Sequence, residues 1–137
     1  MTLVDSNVLL DVITEGAIWA DWSEQQLDRA SVRGALVIND VIYAEISARF
    51  DSFHRLDLHL ADSGIEVVPI SRAALFTAGK AFVQYRRAGG SRTGVLSDFF
   101  IGAHAAVERL PLLTRDVRRY RSYFPTVELI APELDER

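Results

Sequence analysis

The feature that most constrains this chain is a series of short, almost wholly apolar runs separated by helical patterns. Thr2-Leu3-Val4, Ala35-Leu36-Val37-Ile38, Glu66-Val67-Val68-Pro69-Ile70, Leu112-Leu113-Thr114 and Val127-Glu128-Leu129-Ile130 are all of strand length, and Pro69 marks the edge or end of its run. Strands that are apolar on both faces and alternate with helices predict a parallel sheet covered on both sides, an α/β fold. The helices announce themselves by caps and stops. Asp5-Ser6-Asn7 precede Val8–Ile13, and Gly34 follows a helical repeat of Trp19, Trp22, Leu27 and Ala30. Asn39-Asp40 precede a helix carrying Glu45, and a further helix runs from about Asp51 to Asp62. Ser71 opens a long helix whose stripe is Leu75, Ala78, Phe82 and Tyr85. Ala88–Gly94 reads as a glycine-rich loop, Ser97-Asp98 as the start of another helix, and Asp116 to about Tyr123 as a short one. With no repeat or linker, residues 1–132 read as a single domain and 133–137 as a polar tail.

Composition excludes several classes. The 137 residues, 49% of them apolar, are too hydrophobic for a disordered chain, so a core is expected. With no cysteine there is no disulfide framework, zinc–thiolate site or thiol nucleophile. No uncharged apolar run approaches the roughly 18 residues of a membrane span, and Met1–Asp5 lacks the basic start of a signal peptide. A cytoplasmic protein with no membrane partner is expected. The net charge of -4 is unevenly spread. Residues 1–30 carry Asp5, Asp11, Glu15, Asp21, Glu24 and Asp28 against Arg29, whereas residues 86–121 carry eight arginines against Asp98, Glu108 and Asp116. Guanidinium groups suit bidentate contact with phosphate.

In an open parallel sheet the ligand crevice lies beyond the carboxyl ends of the strands, so the position of each acid is informative. Asp5 directly follows the first strand, and Asp116 lies two residues beyond Thr114. Asp98 begins the helix that leaves the glycine-rich loop, and Glu45 lies in the second turn of the helix after Ile38. All four can converge on one rim. Singly, each has a plain structural explanation: Asp5, Asp98 and Asp116 as helix caps, and Glu45 as an i,i+4 partner of Arg49. Jointly they do not, because the apolar neighbours of Glu45 and Asp98 predict incomplete exposure. Two carboxylates about 4 Å apart repel by about 4 kcal/mol at an effective dielectric of 20. No lysine is close in sequence, so a divalent cation is the economical counter-charge, and an all-oxygen site suits Mg²⁺ or Mn²⁺. A carboxylate-held dication with open positions is the apparatus of phosphodiester hydrolysis.

Val4-Asp5-Ser6-Asn7, Glu45, Ser97-Asp98-Phe99-Phe100-Ile101-Gly102-Ala103-His104-Ala105 and Leu113-Thr114-Arg115-Asp116, in that order, resemble the PIN-domain ribonucleases. The VapC toxins of type II toxin–antitoxin pairs are the nearest look-alikes. The resemblance spans essentially the whole chain. It implies a three-layer α/β/α sandwich around a short-stranded parallel sheet, with Asp5, Glu45, Asp98 and Asp116 as catalytic and metal-binding residues for Mg²⁺ or Mn²⁺. By the same resemblance Asn7, Thr114 and Ser6 support the acids. It further implies endonucleolytic cleavage of RNA (a transfer RNA or a ribosomal RNA loop) to a 3′-hydroxyl and a 5′-phosphate, homodimerisation, and silencing by a VapB-like antitoxin. The arginines at 115–121 occupy a stretch where some relatives add a further acid, which leaves a second metal open. Arg86, Arg87 and Arg92, flanking the loop, together with Arg115, are the expected RNA contacts.

Other residues read more plainly. Asp40 is expected to be only a helix cap, and Asp11 to lie at the edge of the site or in solvent. His104 follows Asp98 by six residues, roughly 240° round a helix, and is expected to be packed or on the surface. His54 and His59 read as a solvated face, and Trp19, Trp22, Phe82 and Tyr85 as core or dimer contacts. Two other functions remain open at this point. A haloacid-dehalogenase-type phosphatase or a phosphorelay receiver would need an aspartate where Asn7 stands or a suitably placed lysine, and Lys80, the only lysine, is mid-helix. A catalytically silent binding or scaffold module of the same fold would lack metal-dependent cleavage.

Overall fold

The computed structural model of the chain describes residues 1–14, 16–92 and 94–132. The apolar runs form one parallel sheet of β1 (Thr2–Val4), β2 (Leu36–Ile38), β3 (Ile65–Val67), β4 (Leu112–Leu113) and β5 (Leu129–Ile130). Its spatial order is β3-β2-β1-β4-β5. β1 is therefore central, with Leu3 paired to Val37 on one side and to Leu112 on the other. From β1 the chain first builds outward through β2 and β3, then returns to add β4 and β5 on the opposite side. That reversal opens a crevice beyond the carboxyl ends of β1 and β4. Backbone pairing continues past the strand ends into the crevice: Asp5 N–H donates to Leu113 C=O at 2.9 Å, and Thr114 N–H to Ile130 C=O at 3.0 Å.

Seven helices among the described residues flank the sheet: α1 (Ser6–Ile13), α2 (Ala20–Arg33), α3 (Asp40–Ser47), α4 (Phe53–Asp62), α5 (Arg72–Arg87), α6 (Leu96–Glu108) and α7 (Arg118–Tyr123). The result is the expected α/β/α sandwich. Asn39, Ser52 and Ser71 cap α3, α4 and α5, each accepting the N–H three residues on. Leu3, Val4, Val37, Ile38, Leu112 and Leu113 are fully or almost fully buried, as strands between two helical layers must be. No described helix is long and apolar enough to cross a membrane.

Several local expectations are corrected. The third strand begins at Ile65 and ends at Val67, so Pro69 lies outside it. Asp40 is the exposed first residue of α3, because the cap is Asn39. Asp98 lies inside the first turn of α6, which starts at Leu96, and α7 starts at Arg118 rather than Asp116. Leu75 points outward, 42% exposed, while the small residues Ala74, Ala78 and Ala81 form the buried stripe of α5 and let it pack closely. Residues 133–137, expected as a polar tail, lie outside the described residues.

An aromatic cluster holds the last helices to the sheet. Phe99 of α6 meets Phe82, Tyr85, Tyr123 and Phe124 with ring centroids 5.2–6.1 Å apart. Gly102 is required there, since a Cβ at that position would overlap the Phe124 ring. This packing fixes α7 against α6, which matters for the site.

Candidate active site

Asp5 ends β1 and caps α1, so its side chain is delivered to the mouth of the crevice by the centre of the sheet. It is only 4% exposed. Its Oδ1 accepts the Ser6 N–H at 2.7 Å, and its Oδ2 accepts the Thr114 hydroxyl and the Tyr120 hydroxyl, each at 2.8 Å. The Asp5 carboxyl is raised to about 6: burial is the largest cause, the Thr114 and Tyr120 hydrogen bonds work against it, and the charges of Asp98 and Glu45 add to it. Tyr120 is itself pushed well above its usual value by burial and by Asp5, so it remains a proton donor to that carboxylate.

The other three acids enter the same electrostatic neighbourhood. Glu45, on α3, is exposed, which corrects the expectation drawn from its apolar neighbours, and it accepts the Ser6 hydroxyl at 2.9 Å. Ser6 thus links Glu45 to Asp5, whose Oδ1 lies 3.4 Å from the same hydroxyl. The pairing of Glu45 with Arg49 is not found among the described ion pairs. Asp98 is half-buried and receives Arg119 Nη1 at 2.7 Å. Burial raises its carboxyl, Arg119 lowers it, and Asp116 and Glu45 raise it again. Asp116 is exposed in the turn after Thr114, and its Oδ1 accepts the Arg118 N–H at 3.3 Å. Asn7 completes the frame: its Oδ1 accepts the Arg115 N–H at 3.1 Å and its Nδ2 donates to Thr114 Oγ1 at 3.3 Å. Ser6, Asn7 and Thr114 are therefore all in contact with the acids or with each other.

Arg115 departs from its expected place. Its guanidinium forms two bonds to Asp11, at 2.5 and 2.9 Å, and lies 5.5 Å over the Trp19 ring. Asp11, expected at the rim or in solvent, is buried and also accepts the Ser23 hydroxyl at 2.7 Å. Arg86 and Arg87, in the last turn of α5, and Arg92 in the following loop are exposed. Of the three, Arg92 is tied to the edge of the site: its N–H donates to the Tyr85 hydroxyl at 3.2 Å, and the Tyr85 ring carries the Arg119 guanidinium 5.6 Å away. His104 is buried, with Nδ1 3.0 Å from Asn39 Nδ2, and burial lowers its pKa. It braces the α3 cap and is not among the acids. His59 is half-buried against Phe50 rather than fully solvated.

Two residues of the site escape a reading of the sequence. Tyr120 and Arg119, adjacent on α7, reach Asp5 and Asp98 respectively. The available signal is their position just after Thr114-Arg115-Asp116, on an element that has to fold back over the carboxyl edge. An open trough of about 410 Å³ leads away from Glu45 between α3 and α6, lined by Val41, Ala44, Leu96, Ser97 and Phe100.

Among the described residues, no three acids or histidines already stand as ligands around one point. The donor chemistry nevertheless fits a hard dication. Every acidic side chain offers oxygen alone, Asp5 is buried with acids for neighbours and no cation bonded to it among the described residues, and Glu45 and Asp116 are exposed, each carboxylate held by one described hydrogen bond. Asp98 differs, since a guanidinium already occupies one of its oxygens.

Comparison with known proteins agrees with the fold. Among curated proteins no sequence matches significantly. In three dimensions the chain is similar to a chain of the VapBC2 complex from Rickettsia felis bound to a promoter DNA fragment, with a TM-score of 0.73 at 18% identity over 96% of this chain and 98% of that one. It is similar also to a chain of a toxin–antitoxin complex from Klebsiella pneumoniae, with a TM-score of 0.69 at 20% identity over 97% and 98%. A chain of FitAcB from Neisseria gonorrhoeae follows, with a TM-score of 0.67 at 16% identity over 95% and 96%. The profile of the PIN domain matches residues 2–124, which takes in every acid of the crevice and both α7 residues that hold them. A central strand delivering an aspartate to a switch-point crevice, acids gathered from three further segments and this match together place the chain in the PIN domain family.

Proposed function

We propose that the protein is an Mg²⁺- or Mn²⁺-dependent endoribonuclease, the toxin of a VapBC-type pair. The observation that carries this reading is Asp5: a buried carboxylate, raised by its surroundings, with acidic neighbours and only uncharged donors. Such a group is costly to leave ionised unless a cation joins it. Asp5, Glu45, Asp98 and Asp116 would hold that cation, with Ser6, Asn7 and Thr114 fixing their orientation. Bound there, Mg²⁺ or Mn²⁺ supplies the positive charge that activates water and stabilises the leaving oxygen. The chain's own contribution is positional. Thr114 and Tyr120 keep Asp5 in one rotamer, Ser6 ties Glu45 to it, and Arg86, Arg87 and Arg92 offer exposed guanidinium groups to the RNA backbone. Arg115, committed to Asp11, is not assigned to RNA.

The toxin–antitoxin complexes among the structural relatives support an antitoxin partner, and homodimerisation in the cytoplasm belongs to the same proposal. One observation favours a silent binding module instead: Arg119 already neutralises Asp98. A single assay separates the two. Antitoxin-free protein given structured transfer and ribosomal RNAs with Mg²⁺ or Mn²⁺ is expected to cut at few sites, and EDTA or Asp98→Asn to abolish cutting. Absence of metal-dependent cleavage and of growth arrest on expression would establish the silent module. Reversing Arg86 and Arg87 to glutamate is expected to weaken RNA binding and to lower its salt slope by about one for each phosphate no longer neutralised; an unchanged slope would remove them from the interface.

A further inference from the structure

Arg118, Arg119 and Arg121 share α7, but only Arg119 is turned inward; Arg118 and Arg121 are exposed. The Arg119 side chain is 17% exposed and bonds Asp98 Oδ2 at 2.7 Å. Its guanidinium is backed by the Tyr85 ring at 5.6 Å, and the next residue, Tyr120, is pinned to Asp5 at 2.8 Å. Behind both, Tyr123 and Phe124 of the same segment pack on Phe99. The guanidinium is thus held by Asp98 and Tyr85 on a helix that is itself fixed, unlike a surface arginine.

We propose that Arg119 is a built-in cation of the acidic centre, so that the centre takes one dication only. This rests on the metal-dependent function proposed above. The charges support it. Asp98 and Glu45 act on Asp5, and Asp116 and Glu45 on Asp98; against these four carboxylates one dication and one guanidinium leave a balance of -1, and a second dication would face a fixed positive charge. A guanidinium bonded to Asp98 Oδ2 takes up one of the oxygens a second ion would need and repels that ion. Arg119 is a positioning residue here, because it acts through Asp98.

The test is Mn²⁺ titration of the full chain, free of any antitoxin, followed by electron paramagnetic resonance and calorimetry. Wild-type protein is expected to saturate at one Mn²⁺ per chain. Arg119→Gln is expected to accept a second ion or to hold the first roughly 10-fold more tightly, since a like charge has been removed from beside it. Arg119→Lys, which keeps the charge, is expected to stay at one. Two ions bound to the wild type, or an Arg119→Gln protein with wild-type stoichiometry and affinity, would overturn the proposal while leaving the nuclease reading intact. No Mn²⁺ bound to the wild type would overturn both. One ion, tightened in Arg119→Gln, in a protein that cleaves no RNA would uphold the built-in cation and overturn the nuclease.

Discussion

Asp5 and Asp11 belong to the same stretch of chain, one capping α1 and the other in its second turn, and they are buried to the same depth, 4% and 6% exposed. Their surroundings are opposite. Asp11 faces a bidentate guanidinium from Arg115, backed by Trp19, and a hydroxyl from Ser23. Asp5 receives the Ser6 N–H, the Thr114 and Tyr120 hydroxyls and longer contacts from the Ser6 hydroxyl and Asn7 Nδ2, and its charged neighbours are acids. The cation was within reach: Arg115 directly follows Thr114, the residue that bonds Asp5. A carboxylate given a guanidinium rivets α1, α2 and the turn after β4 together. One surrounded by neutral donors and further acids has no such partner, and under the proposed function it awaits a cation from outside, at some cost to the stability of the protein without it.

The largest effect that would break this contrast is expected at Asp5. Asp5→Asn should lower Mg²⁺-dependent RNA cleavage by more than about 100-fold, yet in EDTA at neutral pH it should be more stable than wild type. Because the folded carboxyl titrates at about 6 and the unfolded one at 3.8, the folded state binds its proton more tightly. Wild-type stability should therefore fall as pH rises from about 4 to about 6, by at most about 3 kcal/mol, and level off above. Urea denaturation across that range checks the sign; a wild type that gains stability over it, relative to Asp5→Asn, would refute the electrostatic picture of Asp5.

Next in size comes the rivet. Arg115→Ala leaves Asp11 buried without its partner, and about 2–3 kcal/mol of stability should be lost, somewhat below a fully buried pair because the arginine is 28% exposed. A loss under about 0.5 kcal/mol would reduce the pair to a surface contact. Tyr120→Phe removes one hydroxyl donor from Asp5 and should cost about 1–2 kcal/mol while raising the Asp5 carboxyl further, readable as an upward shift in its carboxyl carbon NMR titration. The smallest effect belongs to His104. Its pKa is depressed by burial, against the charges of Glu108 and Asp40, so the unfolded chain binds the proton first. Stability should then decline as pH falls below 6.5, best read in Asp5→Asn, where the opposing titration of Asp5 is gone.

The architecture is legible in the chain because its signals are local. Apolar runs with flanking caps such as Asn39, Ser52 and Ser71 name strands and helices within a few residues. The acids are legible because strand ends and the carboxyl-edge rule convert sequence position into spatial position. Orientation is not. Glu45 has apolar neighbours in sequence, but on a helix Ile42 and Ile46 turn to the core while it turns out. Leu75 fits the apolar stripe of α5 by spacing, yet the fully packed positions there are taken by Ala74, Ala78 and Ala81 and Leu75 turns outward. Arg115 resembles the other phosphate-binding candidates, because nothing local ties it to Asp11, 104 residues earlier. Arg119 and Tyr120 are invisible for the same reason: their partners come from the other end of the chain or from another helix.

The most direct test of a cation-requiring acidic centre is the thermal denaturation of wild type and Asp5→Asn, each in EDTA and across rising Mn²⁺. Binding to the folded state alone stabilises by RT ln(1 + [L]/Kd), so the wild-type Tm should climb with Mn²⁺ while that of Asp5→Asn, starting higher, stays nearly flat. Equal shifts in the two proteins, or none in the wild type, would contradict the claim that Asp5 and its acidic neighbours form a metal-binding centre.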